Sequence, residues 1–476
     1  MSDLDRDLLE AIPAYARQLL VVGPDLLRHR ELWEQRNPLA KLATEVPANG
    51  EKLEAILLSL DSIGSDAAST ILHCAAHLAP GGTLALFGDA WGKAATPGLA
   101  ELLHGQGLVP ERLIGGATAD GHGILRFQRR DAPVRELRIL ANPFAFDADP
   151  MRQSVVRVRL REPMEQLSSI PGVRCQVGTK HSIQPVTEPD AANILIFQRF
   201  LFDDPATVRR ATRGQRYITI AELDDEPGRF IKTTPEYTRN TLARHHAVQT
   251  SSAELADYVR QFNPEVAVFG NHLTRIRPYA PKPSSDSVRI LFAAVNRESG
   301  WREIIEAYRA IVAGHGERIK TIVVGDQKFF DELQPLNSEF HPTMPYPDYV
   351  AELERSDIAL LPLANTSFDR KKTDLKFIEC AEAGSAVLAS NVLYAASIRP
   401  GKTGMLYRNA DEFRRHLRTL IDEPAKRRGL AEAAHRYVRE QRALANHIRR
   451  QHEWYLSLVE RRDALEQAIC DRVGPD

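Results

Sequence analysis

Short, unbroken apolar runs punctuate this chain, and stretches of helical period separate them. The runs are QLLVVG (18–23), EAILLSL (54–60), TLALFG (83–88), ELRILANPF (136–144), ANILIFQRF (192–200), EVAVFGNHL (265–273), IKTIVVGD (319–326) and AVLAS (386–390). Runs of this length rich in Leu, Ile and Val predict strands buried on both faces, as in parallel sheets. Between them, SDAASTILHCAAHL (65–78), DPATVRRAT (204–212) and WREIIEAYRAIV (301–312) carry apolar residues at helical spacing. Alternating strands and helices predict parallel sheets with helical crossovers. APGG (79–82) predicts a turn before the third strand, and GILRFQRR (123–130) a closing strand. HHAVQTSS (245–252) predicts a further strand, with His245 and His246 equally able to sit at its start as surface residues. From Ala410 to about Asp471 the pattern is almost wholly helical.

The stretch KKTDLKFIECAEAGSAVLAS (371–390) carries the most chemistry. It predicts a charged loop, a short helix capped by Asp374 or Thr373, a left-handed stop at Gly384, and a buried strand. Leu375, Ile378 and Ala381 give the helix an apolar face. Lys376 and Glu379, three apart, share another. An ammonium attracts phosphate, and a carboxylate accepts hydrogen bonds from the two hydroxyls of a ribose. The competing reading of this pair is a surface ion pair on a helix.

Length and composition narrow the picture. At 476 residues the chain exceeds a single core. A formal net charge of -1 gives no electrostatic footprint for nucleic acid. No apolar run is long enough for a membrane span. The opening MSDLDRDLLEAI is acidic and unlike a signal peptide. Four cysteines, Cys74, Cys175, Cys380 and Cys470, lack metal-ligand spacing and are expected as reduced thiols. These features favour a cytoplasmic enzyme or scaffold. The expected division is residues 1–131, 132–281, 288–445 and a helical return over 446–476. YAPKPSSDS (279–287) serves as the linker.

HLAPGGTLALFGDAW (77–91) resembles class I methyltransferases that use S-adenosylmethionine. Such enzymes need glycines after the first strand, so that backbone can approach the cofactor. Here VVGPDLLRHR offers only Gly23, with Pro24, Leu26, Leu27 and Arg28 where glycines belong. The resemblance therefore implies a shortened, degenerate methyltransferase-like domain that does not bind the cofactor. Docking or oligomerisation is its expected role.

The rest of the chain carries a second resemblance. LPLANTSFDRKKTDLKFIECAEAGSAVLASNVLY (361–394), followed by GKTGMLYRNADEF (401–413), is similar to GT-B glycosyltransferases of the large retaining family, family 4-like, that builds bacterial surface polysaccharides. That implies an α/β fold of two Rossmann-like domains with a helical return, preceded here by the methyltransferase-like domain. Much of that family has two glutamates separated by seven residues. The first would fall at Lys371, so the upstream carboxylate is missing.

By this resemblance Glu379 binds the ribose of a nucleotide sugar, and Lys372 and Lys376 neutralise its diphosphate. The loop AVNRESGW (294–301) offers Asn296 and Arg297 to the same phosphates, and Asp326 borders the base. Gly300 and Trp301 are expected to shape the start of the next helix and fill core. In the second segment AELDDEP (221–227) follows a strand. Its carboxylates Glu222, Asp224 and Asp225 are the candidates to orient an acceptor hydroxyl or take its proton; the alternative is an acidic solvated loop. Asn271, in FGNHL, reads first as a turn residue. The arginines of the tail, Arg427, Arg428, Arg436, Arg439, Arg442, Arg449 and Arg450, read as a solvated mixed-charge face, with weak contact to anionic lipid as a second reading.

Together these features predict a glycosyltransferase that moves a sugar from a nucleotide-diphosphate donor to a glycan, lipid-linked or protein acceptor of the bacterial envelope. No separate cofactor and no metal are expected, and nucleic acid is not an expected partner. Two alternatives remain: a non-catalytic partner protein with vestigial sites, and a methyltransferase acting on the same glycan.

Overall fold

The computed structural model describes residues 2–48, 50–63, 67–88, 97–115, 123–130, 136–144, 154–178, 192–199, 204–227, 235–283 and 285–474. The apolar runs become three six-stranded sheets, one after another along the chain.

The first sheet contains β1 (Gln18–Val22), β2 (Lys41–Ala43), β3 (Leu53–Ser59), β4 (Leu78–Gly88), β5 (Leu108–Gly115) and β6 (Gly123–Arg129). Their spatial order is β2-β1-β3-β4-β6-β5. All pairs are parallel except those of β6, which lies antiparallel between β4 and β5. APGG does not form the expected turn before a strand. It lies inside β4, where Leu78 pairs with Leu53 and Thr83 with Ala55, so residues 79–82 bulge out of the ladder. Asp89, Ala90 and Trp91, part of the stretch that resembles methyltransferases, lie outside the described residues.

The second sheet contains β7 (Leu137–Asn142), β8 (Val173–Val177), β9 (Ala192–Gln198), β10 (Ile218–Leu223), β11 (Ala247–Thr250) and β12 (Val266–Val268). It is wholly parallel, in the order β12-β11-β10-β9-β7-β8. The third contains β13 (Val288–Ala293), β14 (Ile319–Val324), β15 (Ser338–His341), β16 (Ile358–Leu361), β17 (Ala386–Ser390) and β18 (Met405–Tyr407). It too is wholly parallel, ordered β15-β14-β13-β16-β17-β18. The order reverses between β13 and β16, which opens a crevice at the strand C-termini where ligands of such sheets sit.

The chain returns from the third sheet to the second. Leu273 and Ala443 form a parallel bridge, and Leu444 N–H donates to the Leu273 carbonyl at 2.8 Å. The helix Ile448–Glu460 then lays Ile448, Tyr455 and Leu458 into the core beneath the second sheet, against Ile139, Ile194 and Leu167. The first unit is docked as well. Arg126 is fully buried and donates to the carbonyls of Glu10 at 2.7 Å and Ser169 at 3.0 Å, while pairing with Glu111. Ala14 and Tyr15 join the second sheet's core.

Several polar residues differ from the sequence reading because long-range pairs hold them inside. His245 and His246 are buried, not surface residues; His246 faces Glu466 of the last helix, Arg462–Val473, at 3.1 Å. Arg427 and Arg442 do not belong to a solvated face. Arg427 donates to the Leu420 carbonyl at 2.7 Å, closing a helix C-terminus. The linker is anchored too: Lys282 donates to the Leu353 carbonyl and the Ser385 hydroxyl, and burial pushes its ammonium down to about 8.

Candidate functional site

The candidate donor residues gather at the C-terminal edge of the third sheet, facing the second. The helix Leu375–Glu382 follows the loop after β16, and Gly384 ends it at φ +71. Its first-turn chemistry differs from the expected cap. Asp374 makes no side-chain cap; it pairs with Arg442 at 2.5 Å and accepts from Ser397. The tail arginine thereby pins the start of the motif helix to the point where the chain crosses between sheets.

Glu379 is only 6% exposed, so it is not half of a surface ion pair. Tyr349 donates to its Oε2 at 3.3 Å, and Arg157 Nη2 of the facing domain lies 3.7 Å from Oε1. Burial raises the pKa of this carboxylate, against the opposing pull of Lys376 and Arg157. Lys376 sits 5.2 Å from the centre of the Tyr349 ring, and burial lowers the pKa of its ammonium.

The loop after β13 reaches the same place. Asn296 adopts the left-handed conformation, φ 57, which asparagine tolerates. Arg297 Nη1 approaches Asp369 at 3.7 Å across the crevice between β13 and β16. Arg297 also acts electrostatically on Lys376 and on Asp225. Gly300 packs so closely that a Cβ would meet the Leu363 backbone at 2.9 Å, and Trp301 is fully buried. Asp326 takes a structural position: it accepts from Trp301 Nε1 and from Phe329 N–H, each at 3.1 Å, and caps the next helix.

The acidic cluster of the second sheet faces this edge. Glu222 is fully buried in β10 and accepts from Arg159 Nε at 2.7 Å; burial raises its pKa. Asp224 is gripped by the Arg199 guanidinium. Asp225 accepts from Arg199 at 3.0 Å and lies 3.6 Å from Lys372 Nζ. Burial, then the neighbouring Asp224 charge, raises the pKa of Asp225. The cluster is therefore a partly buried, arginine-braced group, not a solvated loop.

Further contacts close the space between the two sheets. Lys371, where an upstream glutamate would stand, pairs with Glu226 at 2.7 Å. Ser252 donates to the Lys371 carbonyl at 2.8 Å, and Asn271 Nδ2 to Thr373 Oγ1 at 2.9 Å. Asn271 is thus a buried interdomain bridge, bonded on its other side to Arg159 at 2.9 Å, and more than a turn residue. The sequence reading missed Arg157, Tyr346, Tyr349 and Asp369. A signal existed for the tyrosines, three apart in YPDY ahead of a strand. None pointed from Arg157 to Glu379, 222 positions away.

The crevice after β1 in the first unit is differently furnished. A Cβ at Gly23 (φ 121) would meet Ser59 Cβ at 2.6 Å. The Asp25 carboxylate accepts from the Ser59 and Ser62 hydroxyls, both at 2.7 Å, across the ends of β1 and β3. Among the described residues no group of His, Cys, Asp and Glu is placed to hold a metal. No described helix is long and apolar enough to cross a membrane.

Residues 297–453, which contain the motif helix, match the family model described as glycosyl transferase-like. No curated protein matches the chain. Among solved structures, a glycosyltransferase from Rickettsia africae ESF-5 is similar over 69% of this chain and 99% of its own, at 14% identity and a TM-score of 0.50. Anabaena HepE, solved with UDP and glucose, covers 67% of this chain and 99% of its own at 14% identity, TM-score 0.45. TarM is similar at 13% identity and TM-score 0.42, and the chain spans only 54% of that protein's length. The likeness to the Rickettsia protein bears on the fold alone: the second and third sheets form the two Rossmann-like domains of the GT-B architecture.

Proposed function

We propose that this protein is a glycosyltransferase that moves a sugar from a nucleoside-diphosphate sugar to a glycan, lipid-linked or protein acceptor of the bacterial envelope, in the cytoplasm and with retention of configuration. One observation carries the reading. A buried carboxylate, Glu379, and a half-buried lysine, Lys376, share a helix at the ligand edge of a parallel sheet, inside the stretch that matches the glycosyl transferase-like model.

In this reading Glu379 accepts from the ribose diol. Lys372, Lys376 and Arg297, with Asn296, face the diphosphate. As the bond from the sugar's anomeric carbon to the diphosphate breaks, charge grows on the leaving oxygen, and fixed cations in a desolvated cleft stabilise it. Asp225, the carboxylate nearest Lys372, is the residue we assign to the acceptor hydroxyl, and Arg199 positions it. Glu222 and Asp224, each held by an arginine, brace that loop. Asp326 supports the loop after β14 from beneath the base. The absence of a carboxylate at Lys371 leaves the donor sugar to be held by other groups. The first unit is read as a degenerate methyltransferase-like module whose crevice is filled by Asp25, and whose docked surface supports the second sheet.

Isothermal titration with UDP, GDP, ADP, CDP and S-adenosylmethionine tests the proposal. Saturable binding of one diphosphate, lost in Glu379→Gln, is expected, with none of S-adenosylmethionine. Binding of S-adenosylmethionine alone would overturn it. A second reading, a non-catalytic partner protein, draws on the Lys371–Glu226 pair and the Arg157–Glu379 contact, which close the cleft over the motif. Nucleotide binding without any sugar release or transfer would favour it.

A further inference from the structure

Arg157 opens a π-helical turn, Arg157–Arg161, on the segment that follows β7. Such turns reorient side chains, often at functional positions. Its guanidinium lies 3.4 Å over the centre of the Tyr346 ring. Nη1 bonds Glu162, five residues on. Nη2 stands 3.7 Å from Glu379, too far for a hydrogen bond, and both Nε and Nη2 are buried without hydrogen-bond partners. One planar cationic group thus occupies two surfaces at once: an aromatic face and a carboxylate. A nucleoside presents complements to the same two surfaces, a flat base for the ring and a diol for the carboxylate. A ring face accepts one planar group on a side, and a 3.7 Å gap does not admit a ribose.

We infer that Arg157 competes with the nucleoside for its subsite, and that Tyr346 is the platform for the base. Donor binding swings the guanidinium away from Tyr346 and Glu379, with Glu162 keeping it at the cleft wall. The acceptor domain thereby senses whether the donor is present, because the displaced side chain belongs to that domain. This inference rests on the glycosyltransferase reading of the site. It predicts a sign that a direct ligand contact would not give: removing Arg157 tightens binding. With Arg157 in place, a cation–π contact and an ion pair must break before the nucleoside enters.

The test titrates UDP, GDP, ADP and CDP into the full-length parent, Arg157→Met, Arg157→Lys, Tyr346→Ala and Glu379→Gln, then the nucleoside of the tightest diphosphate and inorganic pyrophosphate. Thermal unfolding checks each fold. Arg157→Met is expected to tighten diphosphate and nucleoside about ten-fold alike and to leave pyrophosphate unchanged. Arg157→Lys, which cannot lie flat on the ring, tightens both about three-fold and carries the test if Arg157→Met fails to fold. Tyr346→Ala weakens the nucleoside. Unchanged or weaker diphosphate binding in the arginine variants, with Glu379→Gln still weakened, overturns the inference and leaves the glycosyltransferase reading standing. If none of the four diphosphates binds any variant, both fall.

Discussion

Replacing Glu379 by glutamine separates a ligand role from a structural one. The side chain keeps its shape and its contact with Tyr349, 3.3 Å away, and loses only its charge. In the folded protein that charge is poorly rewarded: Arg157 is 3.7 Å off, and burial raises the pKa of Glu379 against the attraction of Lys376 and Arg157. Folding stability is therefore expected to change little, in either direction. Toward a ribose diol the balance is different. Two hydrogen bonds to a carboxylate contribute about 1.5 to 3 kcal/mol each, and neutral ones about half that. The substitution is expected to remove about 1 to 3 kcal/mol of donor affinity, roughly ten- to a hundred-fold in Kd. Calorimetric titration of the preferred nucleoside diphosphate reads the effect, beside a thermal unfolding scan. Lys376→Met in the same assay should weaken the diphosphate but not the nucleoside, whereas Glu379→Gln weakens both. A folded Glu379→Gln variant that binds like the parent would refute the assignment.

Other expectations follow from buried contacts. Arg126→Ala strands the Glu111 carboxylate and two carbonyls at the docking face of the first unit, and should cost about 3 to 5 kcal/mol in denaturant unfolding; a loss under about 1 kcal/mol would contradict the docked arrangement. Burial pushes the Glu162 carboxyl up to about 7. The folded state thus keeps the Glu162 proton between the ordinary glutamate range and pH 7, so the contribution of this group to stability should fall as pH rises from 5 to 8. Glu162→Gln should flatten that slope, and an unchanged slope would exclude Glu162 as its source. Gly300→Ala places a methyl group 2.9 Å from the Leu363 backbone and should displace the loop carrying Asn296 and Arg297, weakening diphosphate binding more than nucleoside binding in titration.

The parallel sheets were legible because their strands are written as unbroken apolar runs; AVLAS, for example, is buried at every position. Gly384 was legible because a helix that must stop and turn needs a left-handed residue. The brace around the site was not. Arg159, Arg199 and Arg442 look like solvated charges until the fold brings Glu222, Asp225 and Asp374 to them, and no local pattern encodes partners 26 to 68 positions apart. The bulge at residues 79–82 also escaped, since proline and glycine read as a turn whether they end a strand or loop out of one. Arg157 was invisible for both reasons: it lies in an arginine-rich stretch, and Tyr346 and Glu379, which it faces, belong to another domain.

The central claim is that the cleft between the second and third sheets holds a nucleoside diphosphate by Glu379. A crystal structure of the full-length protein, soaked or grown with the diphosphate that binds tightest in titration, tests it most directly. The account predicts ribose hydroxyls within hydrogen-bond distance of Glu379, phosphates beside Lys376 and Arg297, and the Arg157 guanidinium moved off the Tyr346 ring. A nucleotide bound elsewhere, with Arg157 still stacked on Tyr346 and facing Glu379, would contradict it.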